Sequence, residues 1–180
     1  MKNGESWQAA GMSFTPITSA IGAEVEGVDL AEDLSDEQIA ALRQALSDHS
    51  LLLLRGQSVS PEQHIRFSRR FGDLEKHVLS DFCLPGHPEI FIVSNIVENG
   101  KPIGLADAGQ DWHTDMSYSK VIAFANVLYG IRIPRRNGVP LGCTEFANMH
   151  KAYEDLPDDI KQRLDGRTAT HDFNKFWEAM

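Results

Sequence analysis

A chain of 180 residues with 42% hydrophobic content can bury one real core, and two full domains would be cramped in it. The formal charge of −9 argues against a nucleic-acid footprint, which needs concentrated Lys and Arg; here Arg69-Arg70 and Arg135-Arg136 are the only adjacent basic pairs. Cys83 and Cys143 lie 60 residues apart with no C-x-x-C arrangement, which excludes a disulfide framework and a cysteine zinc site and fits a reducing cytoplasm.

The first residues, "MKNGESWQAAGMSF", contain no apolar h-region, and no apolar run approaches the roughly 18 residues of a membrane helix. The expectation is a cytoplasmic protein that binds neither membrane nor nucleic acid. "FTPITSAIGAEVEGVDL" mixes β-branched residues with glycines and suits a strand, a turn and a strand. In "SDEQIAALRQALSDH", Ser35 is a good N-cap with Gln38 three residues on, and Ile39, Leu42 and Leu46 share a helical face. "SLLLLRGQ" reads as a short buried strand. "SPEQHIRFSRRFG" predicts a second helix, with Ser60 as cap, Pro61 at its first position and Gly72 as the stop.

From Glu89 onward strands dominate: "EIFIVSN", a turn at "ENGKPIG", then the stretch around "QDWHTDMSY" and a long strand in "VIAFANVLYGIRIP". "RRNGVPLG" reads as a Gly/Pro loop. "NMHKAYEDL" and "PDDIKQRLDG" predict two helices, the second opened by Pro157 and closed by Gly166, and "HDFNKFWEAM" could form another. Helices early and strands later predict an α+β domain rather than an alternating doubly wound sheet, organised as a single domain over residues 1–180.

The pair His113-x-Asp115 is the candidate for metal chemistry. In an extended segment, residues i and i+2 project to one face, so the imidazole and the carboxylate would offer two adjacent ligands to one metal. A second histidine would complete the facial triad that leaves three positions open on ferrous iron. So short a motif also fits an exposed strand edge bearing a solvated His and Asp. Trp112 would pack beside the metal, and Cys143 has no neighbour that would activate a thiolate.

"WHTDMSY", the preceding "NGKPIG…AG" and the downstream "GCTEF…MHKAYEDLP" resemble the taurine dioxygenase and 2,4-dichlorophenoxyacetate dioxygenase (TauD/TfdA) family of iron(II)- and 2-oxoglutarate-dependent oxygenases. "GAEVEGVDL", "LLLLRGQ" and "FGDLEKH" are similar to that family's opening, so the resemblance covers nearly the whole chain. It implies a double-stranded β-helix (jelly-roll) core with flanking helices and an Fe(II) site ligated by His113 and Asp115. It also implies that 2-oxoglutarate is the cosubstrate, decarboxylated to succinate while a small, anionic organic substrate is hydroxylated with O2. Thr144, in "GCTEF", would hydrogen-bond the distal carboxylate of 2-oxoglutarate; Gly142-Cys143 departs from the Gly-Asp or Gly-Asn of relatives. His77 matches a substrate-contacting histidine, and Asn95 and Tyr118 are further pocket residues. "TEFANMHKAYEDL" leans toward the aryloxyalkanoate side of the family.

The family pattern also requires a second histidine well downstream, followed by an arginine that pairs with 2-oxoglutarate. After Asp115 only His150 and His171 remain; His150 reads as a surface residue of a helix, and His171 matches the "HDF" that opens a helical excursion in close relatives. The expectation is therefore that the C-terminal barrel strands are missing from these residues. The alternative is a truncated, catalytically inactive relative acting as a binding module. Homo-oligomerisation is left open.

Overall fold

The computed structural model describes residues 4–77, 79–106, 108–109 and 111–172, in two compact units: Met1–Ser58 with Val127–Thr168, and Val59–Asn126 with Ala169–Met180.

In the first unit, Ala10 and Gly11 set the opening hairpin. Both have positive φ (51° and 77°), as a two-residue type I′ turn requires. β1 (Trp7–Ala9) thereby pairs antiparallel with β2 (Met12–Pro16), Ala9 facing Met12. β2 continues antiparallel to β3 (Ala23–Glu26), which runs parallel to β4 (Leu52–Leu54) across the crossover helix α1 (Asp36–His49). The result is a mixed sheet in the order β1-β2-β3-β4. Gly27 allows the β3 exit to pass close to the first hairpin: with φ of 81°, its backbone leaves a Cβ only 2.9 Å from the Gly11 carbonyl oxygen.

α1 begins where the sequence places it. Ser35 Oγ accepts from the Gln38 N–H at 3.2 Å and Gln38 Oε1 accepts from the Ser35 N–H at 2.9 Å, a reciprocal capping box. Strand alternation buries Met12, Phe14, Ala23 and Val25, and the helical period adds Ile39, Leu42 and Ala45; Leu46, expected on that face, is half-buried. The side chain of Gln57 ties down the segment that follows β3. Its Oε1 accepts from the Leu30 N–H (2.8 Å) and its Nε2 donates to the Val28 carbonyl (3.1 Å). The same unit holds the hairpin β9 (Arg135–Arg136) and β10 (Val139–Pro140), then α3 (Met149–Glu154) and α4 (Asp158–Leu164). Asn148 caps α3, accepting from the Lys151 N–H at 3.1 Å, and donates through Nδ2 to the Ala20 carbonyl at 2.7 Å.

The second unit opens with α2 (Pro61–Arg69), capped by Ser60 and Gln63 as its sequence predicts. A short 3-10 turn, Ser80–Phe82, leads into the hairpin β5 (Cys83–Leu84) and β6 (His87–Phe91), and β7 (Val97–Glu98) with β8 (Lys101–Pro102) closes around Asn99-Gly100. Phe67 is the buried side chain of α2, edge-on to Phe71.

Three expectations need correction. Residues 121–134 form no strand, because no strand of the described residues pairs with them and an extended segment without a ladder is not a sheet. "RRNGVPLG" is a hairpin, since Asn137 and Gly138 both take positive φ, as the Asn-Gly pair in a two-residue turn allows. Residues 112–116 are irregular rather than extended, and Met116, with φ of 59°, turns the chain directly after Asp115. The last stretch expected to be helical falls from residue 173 outside the described residues. Among the described residues, no helix is long and apolar enough to cross a membrane.

Leu42 is fully buried, so Leu42→Ala removes its transfer energy and leaves a cavity. The expected loss is about 2–5 kcal/mol of unfolding free energy, read from the urea midpoint at unchanged m-value.

Candidate metal site

Residues 111–120 lie in the second unit, on a loop whose shape is fixed by hydrogen bonds rather than by a ladder. The turn after Asp115 is closed by the Ser119 N–H donating to the Met116 carbonyl at 3.0 Å. His113 Nδ1 lies 2.6 Å from the carbonyl oxygen of Asp111. A carbonyl can only accept, so Nδ1 carries the hydrogen, and in a neutral imidazole the lone pair is on Nε2. A Cβ added at Gly109 would stand 3.4 Å from His113 Cε1, and the residue's φ of 74° suits glycine.

His113 Nε2 stands 3.1 Å from Asp115 Oδ1. A lone pair and a carboxylate oxygen at that distance repel unless a proton or a metal ion lies between them. Two ligands on adjacent positions of a metal, each at about 2.1 Å, are separated by about 3 Å, so the pair fits the two adjacent corners of a metal site. The other carboxylate oxygen, Asp115 Oδ2, accepts from Asn126 Nδ2 at 2.6 Å. Both side chains of the pair are about half exposed, open to an incoming ion. Among the described residues, no group of three or more His, Cys, Asp or Glu side chains converges as a metal site, so the pair supplies two positions. His171, in the same unit, is hydrogen-bonded through Nδ1 to Ser117 Oγ at 2.9 Å, and His150 is an exposed residue of α3.

His77 lies in the same unit and feels the charge of Asp115. Its ring stacks on Phe91, with centroids 4.0 Å apart, and its Nδ1 accepts from the Leu79 N–H at 3.1 Å. The neutral ring therefore carries its proton on Nε2. Partial burial lowers its pKa, and the Asp115 carboxylate pulls it back up by a smaller amount. Tyr118 donates its hydroxyl to Met116 Sδ at 3.4 Å, and Asn95 is exposed between the isolated Val93–Leu105 bridge and β7. Thr144 is an exposed residue of the first unit, between β10 and α3. Trp112 does not pack as expected: it is 69% exposed, because the loop turns its ring to solvent instead of holding it on a strand face. Sequence reasoning missed Asp111 and Asn126. A backbone carbonyl has no sequence signature, and Asn126 sits inside an apolar run where only a strand was expected.

The His77 titration can be measured in the metal-free protein by the NMR shift of its ring Hε1. Its pKa is expected below the ordinary 6.5, and lower still in Asp115→Asn, which removes the raising charge. By linkage, the neutral ring's contribution to stability is complete above pH 6.5 and is lost as the pH falls toward the folded-state value.

The sequence model of the "Taurine catabolism dioxygenase TauD, TfdA family" matches residues 13–178. The chain is 39% identical over 163 residues to pentalenolactone F synthase of Streptomyces avermitilis, the match covering 89% of this chain and 52% of that protein. It is 31% identical over 167 residues to the alpha-ketoglutarate-dependent 2,4-dichlorophenoxyacetate dioxygenase of Cupriavidus pinatubonensis, covering 87% of this chain and 56% of the relative. The chain thus spans about half the length of the curated relatives it matches. Its fold is similar to that of a putative alpha-ketoglutarate dependent 2,4-D dioxygenase from Burkholderia xenovorans, with a TM-score of 0.54 at 24% identity, over 86% of this chain and 50% of that one. With the family's pattern running from the second strand to within two residues of position 180, the chain belongs to the TauD/TfdA family of dioxygenases.

Proposed function

We propose that this protein is an Fe(II)- and 2-oxoglutarate-dependent dioxygenase that hydroxylates a small, anionic organic substrate, and that both units belong to one dioxygenase domain. The family match running through both units supports the second part of that reading. The observation that carries the first is the 3.1 Å approach of His113 Nε2 to Asp115 Oδ1, with Nδ1 already committed to the Asp111 carbonyl. That is a metal-binding tautomer held in place by a backbone acceptor, the usual support of a ligating histidine.

Bound ferrous iron would supply the activation of O2, one oxygen atom leaving in succinate as 2-oxoglutarate loses carbon dioxide and the other entering a substrate C–H bond. The residues of the chain do the holding. His113 and Asp115 fill two positions and leave room on the exposed side for cosubstrate. Thr144 is proposed to donate its hydroxyl to the distal carboxylate of 2-oxoglutarate, a role supported by its place in "GCTEF" and its exposure. His77, with its proton on Nε2 and its plane fixed by Phe91, is suited to donate a hydrogen bond to a substrate anion without adding a full charge. Asn95 and Tyr118 are proposed as further pocket residues. An anionic substrate is supported by the relatives named for 2,4-dichlorophenoxyacetate and (S)-phenoxypropionate.

The test is Fe(II)-dependent formation of succinate from 2-oxoglutarate by the native protein, followed by chromatography with aryloxyalkanoates as first substrates. Turnover is expected, and His113→Ala should reduce it to background. Native protein that binds iron but releases no succinate above background would replace this reading with that of an inactive binding module.

A further inference from the structure

The carboxylate of Asp115 has two oxygens, and they have different partners. Oδ1 faces His113 Nε2 at 3.1 Å, and Oδ2 is 2.6 Å from the side-chain amide of Asn126. The orientation of that amide follows from its partner: its carbonyl oxygen could not sit so close to a carboxylate oxygen, so Nδ2 donates. Asn126 is 11 residues further along, so the contact is no by-product of the turn at Met116.

We infer that Asn126 is a positioning residue that clamps Asp115 Oδ2 and keeps the carboxylate monodentate, with Oδ1 alone presented to the metal. A free carboxylate can bind one ion through both oxygens. Doing so here would break a charge-assisted hydrogen bond and occupy a second coordination position, one that a cosubstrate needs open. The clamp works with the Asp111 carbonyl, which fixes the ring of His113 as Asn126 fixes the carboxylate. Both ligands are thus oriented by a group two or more residues away that never touches the metal. Such supports typically change metal affinity 10–100-fold when removed. This inference rests on His113 and Asp115 being metal ligands.

The experiment uses Mn(II) and Co(II) as probes on the full native chain, with no turnover required. Mn(II) affinity is read from the EPR signal of the free ion, and coordination from the visible bands of Co(II). Asn126→Leu, similar in volume but without the donor, is expected to bind Mn(II) about 10-fold more weakly or worse. Its Co(II) bands should weaken as the carboxylate turns bidentate and the coordination number rises. Asn126→Gln, which keeps the amide, should recover part of both, and the metal-free melting temperature should match wild type. Wild-type affinity and spectrum in Asn126→Leu would overturn the clamp. So would a loss of affinity matched by an equal loss of metal-free stability, which is what a merely structural role predicts. If Asn126→Leu fails to fold, Asn126→Ser carries the test, its shorter donor giving an intermediate loss and unchanged binding overturning the clamp. Wild-type protein that binds neither ion would overturn the ligand assignment itself, whereas tight wild-type binding with an indifferent Asn126→Leu would overturn the clamp alone.

Discussion

The 2.6 Å hydrogen bond from His113 Nδ1 to the Asp111 carbonyl decides what the loop can do. Without it, either ring nitrogen could hold the proton and the imidazole could rotate about its χ angles. With it, the neutral ring has one tautomer and one direction for its lone pair, and that direction is toward Asp115. The rest of the site follows from this constraint. The carboxylate sits 3.1 Å away, where repulsion is relieved only by a shared proton or cation. The chain is irregular rather than extended here. A straight strand advances about 6.6 Å over two residues and keeps parallel side chains that far apart at their roots. The left-handed Met116 turns the chain straight after Asp115 and accompanies a much closer approach at the side-chain tips.

The molecule's rigidity is unevenly placed. The side chains buried to the last few percent, Met12, Phe14, Ala23 and Leu42 among them, belong to the first unit, where a parallel β3-α1-β4 crossover and a capping box agree on one structure. Among the described residues of the second unit the buried large hydrophobic side chain is Phe67, and the candidate ligands lie on an irregular loop. A site on a loop cannot take its precision from a packed strand. It must take it from hydrogen bonds, and the pair has two: His113 to the Asp111 carbonyl and Asp115 to the Asn126 amide.

These differences set what could be read from the amino acids alone. The starts of the two long helices were legible to the residue, because Ser35-x-x-Gln38 and Ser60-Pro61-x-Gln63 satisfy their own first-turn N–H groups without help from the fold. The candidate metal pair was legible from residue type and order, but not its geometry, since i and i+2 share a face on a strand for a reason that does not apply to an irregular loop. Strands were the least legible. Val121 to Ile133 has the β-branched texture of a strand, yet texture supplies no partner, and pairing is a property of two segments. Conversely, Arg136-Asn137-Gly138-Val139 carries a local turn code strong enough to make a hairpin, and it was read only as a loop. Asn126 was illegible because a polar residue within an apolar run has no periodicity to announce it.

That position within the run has a physical consequence. Val121, Ile122 and Phe124 are 81%, 68% and 59% exposed, and large apolar side chains in such numbers gain about 1.5–3 kcal/mol each from any surface that covers them. An amide buried among them would be costly unless its hydrogen bonds were made, and the donor side of Asn126 already has the strongest kind of acceptor, a carboxylate. Excluding water from this segment would therefore strengthen the bond to Asp115 instead of breaking it, because a charge-assisted hydrogen bond grows as the local dielectric falls.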